Sequence, residues 1–175
     1  MAIEIERKFL VTGEGWREAA DRVVLMAQGY LNDVGMVDSG AMQASVRVRI
    51  EGEVARLNIK SRELGVQRQE FEYPIPAEDA RALLALSVGG LIDKRRHYVR
   101  HAGHVWEIDE FLGDNAGLVV AELELKHPDA PFDRPGWLGA EVTDTPRYYN
   151  LALASRPFAQ WRAEERDATD LKDED

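Results

Sequence analysis

The sequence predicts an eight-stranded antiparallel β-barrel with a charged interior, flanked by about three helices. Eight segments have the alternation or the β-rich composition of strands, and three have helical patterns. Several strands carry charged residues on one face and apolar residues on the other. Helices that cover the apolar face would turn the charged face inward, where an eight-stranded barrel has room for one small ligand.

The strands come first in this assignment, because turn residues separate many of them. They are residues 3–11, 26–31, Ala44–Glu51, Val54–Ser61, Gln67–Ile75, 94–102, His104–Phe111 and 118–126. Gly52 and Gly103 lie in short connections that resemble hairpin turns. Helices are predicted over residues 14–25, from Pro76 to about Ser87, and from Thr145 to about Phe158.

Composition indicates one globular domain and excludes some kinds of chemistry. With 175 residues and 45% apolar content, residues 1–161 form one domain, and the acidic segment 162–175 is expected to be a disordered tail. A net charge of −10 argues against a nucleic-acid partner, and the absence of cysteine excludes disulfides and thiolate ligands. Without a signal-like or membrane-spanning segment, we expect a cytoplasmic protein with no membrane partner; a homodimer is left open.

The charged faces belong to four of the predicted strands. They carry, in chain order, Glu4, Glu6 and Lys8; Arg47 and Arg49; Lys60; and Glu122 and Glu124. An open sandwich with its polar side in water is the alternative for any single strand. Pairs of arginines on one strand and pairs of glutamates on others favour the closed barrel, because a solvent face usually mixes residue types.

Buried charges of both signs need partners, which indicates the kind of ligand. Arginine and lysine suit phosphate oxygens, whereas clustered carboxylates suit hard cations such as Mg²⁺ or Mn²⁺. The residues therefore predict a site for a metal ion and a polyphosphate. A module that binds polyphosphate or nucleotide without turnover is an alternative, but it would gain nothing from carboxylates beside an anion unless a metal lay between them.

Seven segments, in order along residues 1–126, resemble the CYTH superfamily, also called triphosphate tunnel metalloenzymes. They are Glu4-x-Glu6-x-Lys8, Arg47-x-Arg49, Lys60, Glu70-x-Glu72, Lys94-x-Arg96, the strand around Asp109, and Glu122-x-Glu124. The resemblance implies a tunnel that holds a triphosphate end to end. It is strongest to the short bacterial inorganic triphosphatases, which implies hydrolysis of inorganic triphosphate to pyrophosphate and phosphate. Thiamine triphosphatase or adenylate cyclase activity is the alternative within the same superfamily.

The resemblance also implies roles for individual residues. Glu4, Glu6 and one or both of Glu122 and Glu124 would hold Mg²⁺ or Mn²⁺. The residues implied to bind phosphates are Lys8, Arg47, Arg49, Lys60, Lys94 and Arg96. Lys8, Glu70, Glu72 and Asp109 are the catalytic candidates, the three acids through a second metal or a positioned water. Arg95 lies out of phase with Lys94 and Arg96, and we expect it to point outward.

Overall fold

The computed structural model describes residues 2–62 and 66–170, which form nine β-strands and five α-helices. The strands are β1 (Ala2–Val11), β2 (Ala20–Tyr30), β3 (Ala44–Glu51), β4 (Val54–Ser61), β5 (Gln67–Ile75), β6 (Val88–His101), β7 (His104–Phe111), β8 (Val119–Glu124) and β9 (Leu138–Glu141). The helices are α1 (Gly15–Glu18), α2 (Val34–Asp38), α3 (Ala77–Leu84), α4 (Asn150–Ser155) and α5 (Ala163–Asp170).

The sheet closes into an eight-stranded antiparallel barrel, as predicted. Its strand order is β5-β4-β3-β2-β6-β7-β8-β1-β9, and pairing between β5 and β1 closes the circle. β1 shares one edge between two partners: its first half pairs with β5, where Ile3 lies opposite Gln69, and its last residues pair with β9, where Val11 lies opposite Leu138. The short β9 therefore extends the sheet beyond the barrel.

The predicted helix over residues 14–25 is wrong, because only α1 is helical and β2 begins at Ala20. The helical spacing of apolar residues here is accidental. β2 pairs with β6 along most of its length, from Ala20 opposite Val99 to Tyr30 opposite Val88. These ladder hydrogen bonds outweigh the local preference, which is a weak determinant.

Three shorter elements were not predicted. β9 has four residues and α2 has five, too few for a periodic pattern. α5 occupies most of the segment predicted to be a disordered tail, and Arg156 forms an ion pair with Glu165 in it. Residues 171–175 of that predicted tail lie outside the described residues.

Apolar side chains pack on the outside of the barrel and at one of its ends. α3 covers β3 and β4, while Trp16 and Trp106 lie in a cluster over β1, β7 and β8. Inside, the charged residues give way at one end to an apolar plug. The plug consists of Leu10, Tyr30, Ile92, Phe111, Leu118, Val120, Val142, Tyr148, Leu153, Ala154, Phe158 and Trp161.

α4 lies against β6 at this plugged end. Gly89 has a φ of +79° and approaches α4 so closely that a Cβ would lie 2.7 Å from the carbonyl oxygen of Ala154. Any larger residue would displace the helix, because the contact is with backbone. Among the described residues, no helix has the length and apolar character to cross a membrane.

Candidate active site

The barrel interior holds a cavity of about 610 Å³. Alternate residues of the strands point into it, so the prediction that the charged faces turn inward is confirmed. Its charged lining residues are Glu4, Glu6, Lys8, Arg22, Asp38, Arg47, Arg49, Glu51, Arg56, Lys60, Arg62, Arg68, Glu70, Glu72, Arg96, Glu107, Glu122 and Glu124. Nine of these described lining residues are acidic and nine are basic, so their formal charges cancel.

A basic wall is formed by β3 and β4. Arg47 and Arg49 project from β3, while Arg56 and Lys60 project from the same face of β4. Arg49 lies directly opposite Arg56. Burial, and then the positive charges of Arg47 and Arg96, lower the pKa of Arg49 below its usual value. Carboxylates lie within ion-pair distance of Arg49, Arg56 and Lys60. The clustering of four cations on one face nevertheless favours an anion.

Arg47 differs from the other buried basic side chains. Within the described ranges it makes no ion pair with a carboxylate, whereas Lys8, Lys94 and Arg96 each make at least one. Burial raises the pKa of Tyr30 although the nearby positive charge of Arg47 opposes this, and the Arg47 Nε has no hydrogen-bond partner among the described atoms. A buried guanidinium in this state is suited to bind phosphate oxygens.

A carboxylate wall lies on β1 and β8. Glu6 is directly opposite Glu124, and Lys8 is directly opposite Glu122, with which it forms an ion pair. Burial, and then the negative charge of Glu122, raise the pKa of Glu6 to about 7. Burial opposes ionisation of Glu122 as well, but Lys8 and Arg96 hold its pKa well below the usual value.

The outer carboxylates of this wall differ in their neighbours. Both oxygens of Glu4 accept from the Lys60 Nζ at 2.9 Å, and Oε2 accepts from the Arg68 Nε at 3.0 Å. Burial alone would raise the pKa of Glu4, but these two charges hold it below its usual value. Burial, and then the charges of Glu4 and Glu70, raise the pKa of Glu124.

Lys94 and Asp109 lie behind the cavity rather than in its lining. The Lys94 Nζ donates to the Asp109 Oδ2 at 2.6 Å, and the Arg96 Nε donates to Oδ1 at 2.7 Å. Arg96 also donates to Glu122 at 2.9 Å, and so connects this buried pair to the carboxylate wall. Burial lowers the pKa of Lys94 to about 8 in spite of Asp109. The geometry therefore makes Asp109 a counter-ion that orients Arg96.

Glu70 and Glu72 line the cavity from β5, as the alternation predicts. The Asn58 Nδ2 donates to both, at 3.2 Å to Glu70 and 2.6 Å to Glu72. Glu72 also pairs with Arg56 at 3.0 Å. Arg95, by contrast, points outward and lies 3.7 Å from Glu110.

Several lining residues were missed from the sequence, although most share a face with a predicted one. Arg68 is in phase with Glu70, Glu107 with Asp109, and Arg56 with Lys60. Extending each charged alternation along its whole strand would have found them. Tyr149 has no such signal, because it comes from a loop; its ring lies 4.8 Å from the Lys8 Nζ and 5.1 Å from the Arg68 guanidinium.

The carboxylates suit a divalent cation by their chemistry. All-oxygen donors are those that Mg²⁺ and Mn²⁺ prefer, and a cation would relieve the repulsion that raises the pKa of Glu6. Within the described residues, no group of three or more acidic or histidine side chains already converges on one point. Glu4 and Glu122 are instead held by basic side chains.

Comparison with known proteins gives consistent results. The CYTH domain model matches residues 2–151. An inorganic triphosphatase of Acetivibrio thermocellus is 40% identical over 163 residues, which cover 93% of this chain and 99% of that protein. An inorganic triphosphatase of Nitrosomonas europaea is 35% identical over 154 residues, covering 86% and 96%. The crystal structure of the inorganic triphosphatase NE1496 aligns with a TM-score of 0.61 and 32% identity, over 86% of this chain and 97% of that one.

Proposed function

The chain belongs to the CYTH domain family, and from this membership we propose that it hydrolyses inorganic triphosphate to pyrophosphate and phosphate with a divalent metal ion. The observation that carries the proposal is the basic wall of the closed cavity, in which the buried Arg47 has no carboxylate partner among the described residues. Phosphate oxygens are the natural partners of such a guanidinium. The names of the two similar triphosphatases support the same substrate.

Metal dependence is supported by charge. The acidic and basic residues that line the described cavity are equal in number. The lining therefore offers no net positive charge to offset the negative charges that a triphosphate would bring beside Glu6 and Glu124. Glu4, Glu6, Glu122 and Glu124 are the residues that would hold Mg²⁺ or Mn²⁺. A metal ion held there would supply positive charge and Lewis acidity for the phosphate oxygens.

The chain's own residues bind and orient the substrate. Arg47 and Arg49 hold phosphate oxygens from one wall, Lys60 from the adjacent strand, and Lys8 and Arg96 from the opposite side of the cavity. Lys94 acts from behind the lining, through Asp109 and Arg96. Fixed donors of this kind stabilise charge that develops on the transferred phosphoryl group.

The reaction requires a water whose oxygen attacks a terminal phosphorus while the bridging P–O bond breaks and pyrophosphate leaves. The water's proton passes to a carboxylate. Glu70 and Glu72 line the cavity close to the basic wall, which supports them over the enclosed Asp109 as acceptors of that proton.

Cytoplasmic location, the absence of a nucleic-acid partner and the homodimer left open by the sequence remain predictions.

The experiment is a panel that measures phosphate release from inorganic triphosphate, thiamine triphosphate and ATP, each with Mg²⁺, Mn²⁺ or excess chelator. We expect the largest kcat/KM with inorganic triphosphate and a metal. Arg47→Ala tests the role of a cavity guanidinium. Its matched control is Arg7→Ala, which removes a guanidinium that pairs with Glu141 on the outer surface. Preference for thiamine triphosphate, or formation of cyclic AMP from ATP, would replace the proposal with one of its alternatives. Binding without release of phosphate would make the protein a binding module.

A further inference from the structure

Asn58 occupies a position between the basic wall and the β5 carboxylates. Its side chain is fully buried on β4, directly opposite Arg47 on β3 and Glu72 on β5. Adjacent strands are about 4.8 Å apart. A cation, a neutral amide and a carboxylate therefore follow one another across three neighbouring strands.

The hydrogen bonds of Asn58 determine the orientation of its amide. Nδ2 donates to the Glu72 Oε2 at 2.6 Å and to the Glu70 Oε1 at 3.2 Å, and both acceptors are carboxylate oxygens. The NH₂ group must therefore face β5, since the reverse orientation would set oxygen against oxygen. The Asn58 Oδ1 is buried and has no hydrogen-bond partner among the described atoms. A buried amide oxygen without a partner is costly, which argues against a purely structural reason for asparagine here.

The neutral charge of Asn58 has a consequence for Arg47. Glu72 is within ion-pair distance of Arg49 and Arg56, at 3.6 and 3.0 Å, but the described ion pairs include none between Arg47 and a carboxylate. Asn58 lies in the position from which an acidic residue would pair directly with Arg47. An amide there binds the carboxylates on one side without neutralising the guanidinium on the other.

We propose that Asn58 is a positioning residue that holds Glu70 and Glu72 toward the cavity and keeps the Arg47 guanidinium available for phosphate. The inference rests on the proposed function, because it assigns a purpose to groups of the same site. It adds a neutral residue that acts through its neighbours. Its two hydrogen bonds should affect turnover more than substrate binding, because the groups that they hold are not the phosphate-binding cations.

The test compares two substitutions of similar size. Asn58→Leu removes the donors without adding charge, so kcat should fall about tenfold or more while KM and metal-free affinity for tripolyphosphate stay within about twofold. Asn58→Asp also removes the donors but sets a carboxylate opposite Arg47. We expect it to lower kcat and, in addition, to weaken tripolyphosphate binding about tenfold. The measurements are steady-state kinetics, calorimetric binding of tripolyphosphate in chelator, and a thermal melt.

The matched control is Asn115→Ala. Asn115 is also buried, and its Oδ1 accepts from the Phe158 backbone at 2.9 Å, away from the cavity lining. This variant should melt at a lower temperature with kcat unchanged.

Wild-type kcat in Asn58→Asp would overturn the proposal, even where Asn58→Leu does not fold. Equal tripolyphosphate affinity in Asn58→Asp and wild type would overturn the part that concerns Arg47. If wild-type protein releases no phosphate from triphosphate, the proposed function fails instead, and the calorimetric arm still tests the relation between Asn58 and Arg47.

Discussion

Glu6 and Glu124 lie directly opposite each other on β1 and β8, and both face the cavity. Like charges at directly opposed positions of a sheet are destabilising. Burial raises the pKa of both groups, and other carboxylates add to the shift: Glu122 at Glu6, and Glu4 and Glu70 at Glu124. This wall of the barrel is therefore arranged for a positive ligand at the expense of stability.

Metal-free Glu6→Gln protein should melt at a higher temperature than wild type near pH 8 and at a similar temperature near pH 5. The pKa of Glu6 is raised from 4.5 to about 7, so the folded state binds its proton more tightly than the unfolded chain does. Wild-type stability therefore falls as the pH rises between these two values, by at most about 3 kcal/mol. Thermal melts in chelator across this range give the result, with the exposed Glu53→Gln as control. A difference between the variants that does not change with pH would contradict the prediction.

Removal of metal should abolish turnover, and added Mg²⁺ or Mn²⁺ should restore it. The same ions should raise the melting temperature of the wild-type protein, because a ligand that binds only the folded state stabilises it. Glu6→Ala should lose both the metal-dependent turnover and most of the thermal shift. Full turnover in excess chelator, or an unchanged thermal shift in this variant, would contradict the metal assignment.

Arg47→Ala should weaken triphosphate binding or turnover by about tenfold or more, for a loss of about 1.5 to 3 kcal/mol of interaction. The reason is that Arg47 faces the cavity with no carboxylate among its described partners. Arg7→Ala is the control, since Arg7 pairs with Glu141 on the partly exposed outer surface. An exposed pair contributes about 1 kcal/mol or less, so this variant should keep its kcat/KM. Equal kinetics in the two variants would show that Arg47 does not contact substrate.

Arg96→Met should destabilise the protein by about 3 to 5 kcal/mol, in contrast to Arg47→Met. Arg96 pairs with Asp109, Glu107 and Glu122. Its loss leaves Asp109 with Lys94 and Glu122 with Lys8, and leaves Glu107 with no described ion pair. Removal of Arg47 leaves no carboxylate without an ion pair among the described residues. Denaturant unfolding of the two variants gives the comparison, and a smaller loss for Arg96→Met than for Arg47→Met would be the opposite of what this charge arrangement requires.

Deletion of residues 163–175 should leave kcat/KM nearly unchanged. The last cavity-lining residue described is Ala152, and the buried Trp161 is retained in the truncated chain. The deletion removes α5 and the partly buried pair between Arg156 and Glu165, so a small fall in melting temperature is expected. A large loss of activity would mean that this end of the chain contributes to the site.

The strands that a sequence predicts best are those whose two faces differ most. β3, β4, β5 and β7 have the predicted bounds because their alternation extends from one end to the other. β2 was predicted only in its second half, because its inner face begins with Arg22 and Val24 and its outer face carries Val23 and Leu25. Both faces of this half mix charged with apolar residues and so do not contrast with each other, and pairing with β6 was needed to identify the strand.

The site was predicted to the extent that alternation predicts direction. Alternation does not show how deeply a side chain is buried behind the cavity surface. Lys94 and Asp109 could therefore not be distinguished from residues that reach the cavity. Their position depends on register, since Asp109 lies directly opposite Arg96 and is covered by its guanidinium. Asn58 was overlooked for a different reason, because a single amide among charged residues has no pattern of its own.

Barrel closure through β1 also determines the order in which this chain can fold. β1 precedes the other eight described strands, yet its partners are β5, β8 and β9, and the paired Lys8 and Glu122 are 114 residues apart in sequence. Contacts of such long range slow folding, because the chain must close a large loop before it gains their energy. The hairpins from β2 to β5 and from β6 to β8 can form earlier from local contacts. We expect docking of β1 to be the late, rate-limiting event, and the charges of the cavity to stay hydrated until it occurs.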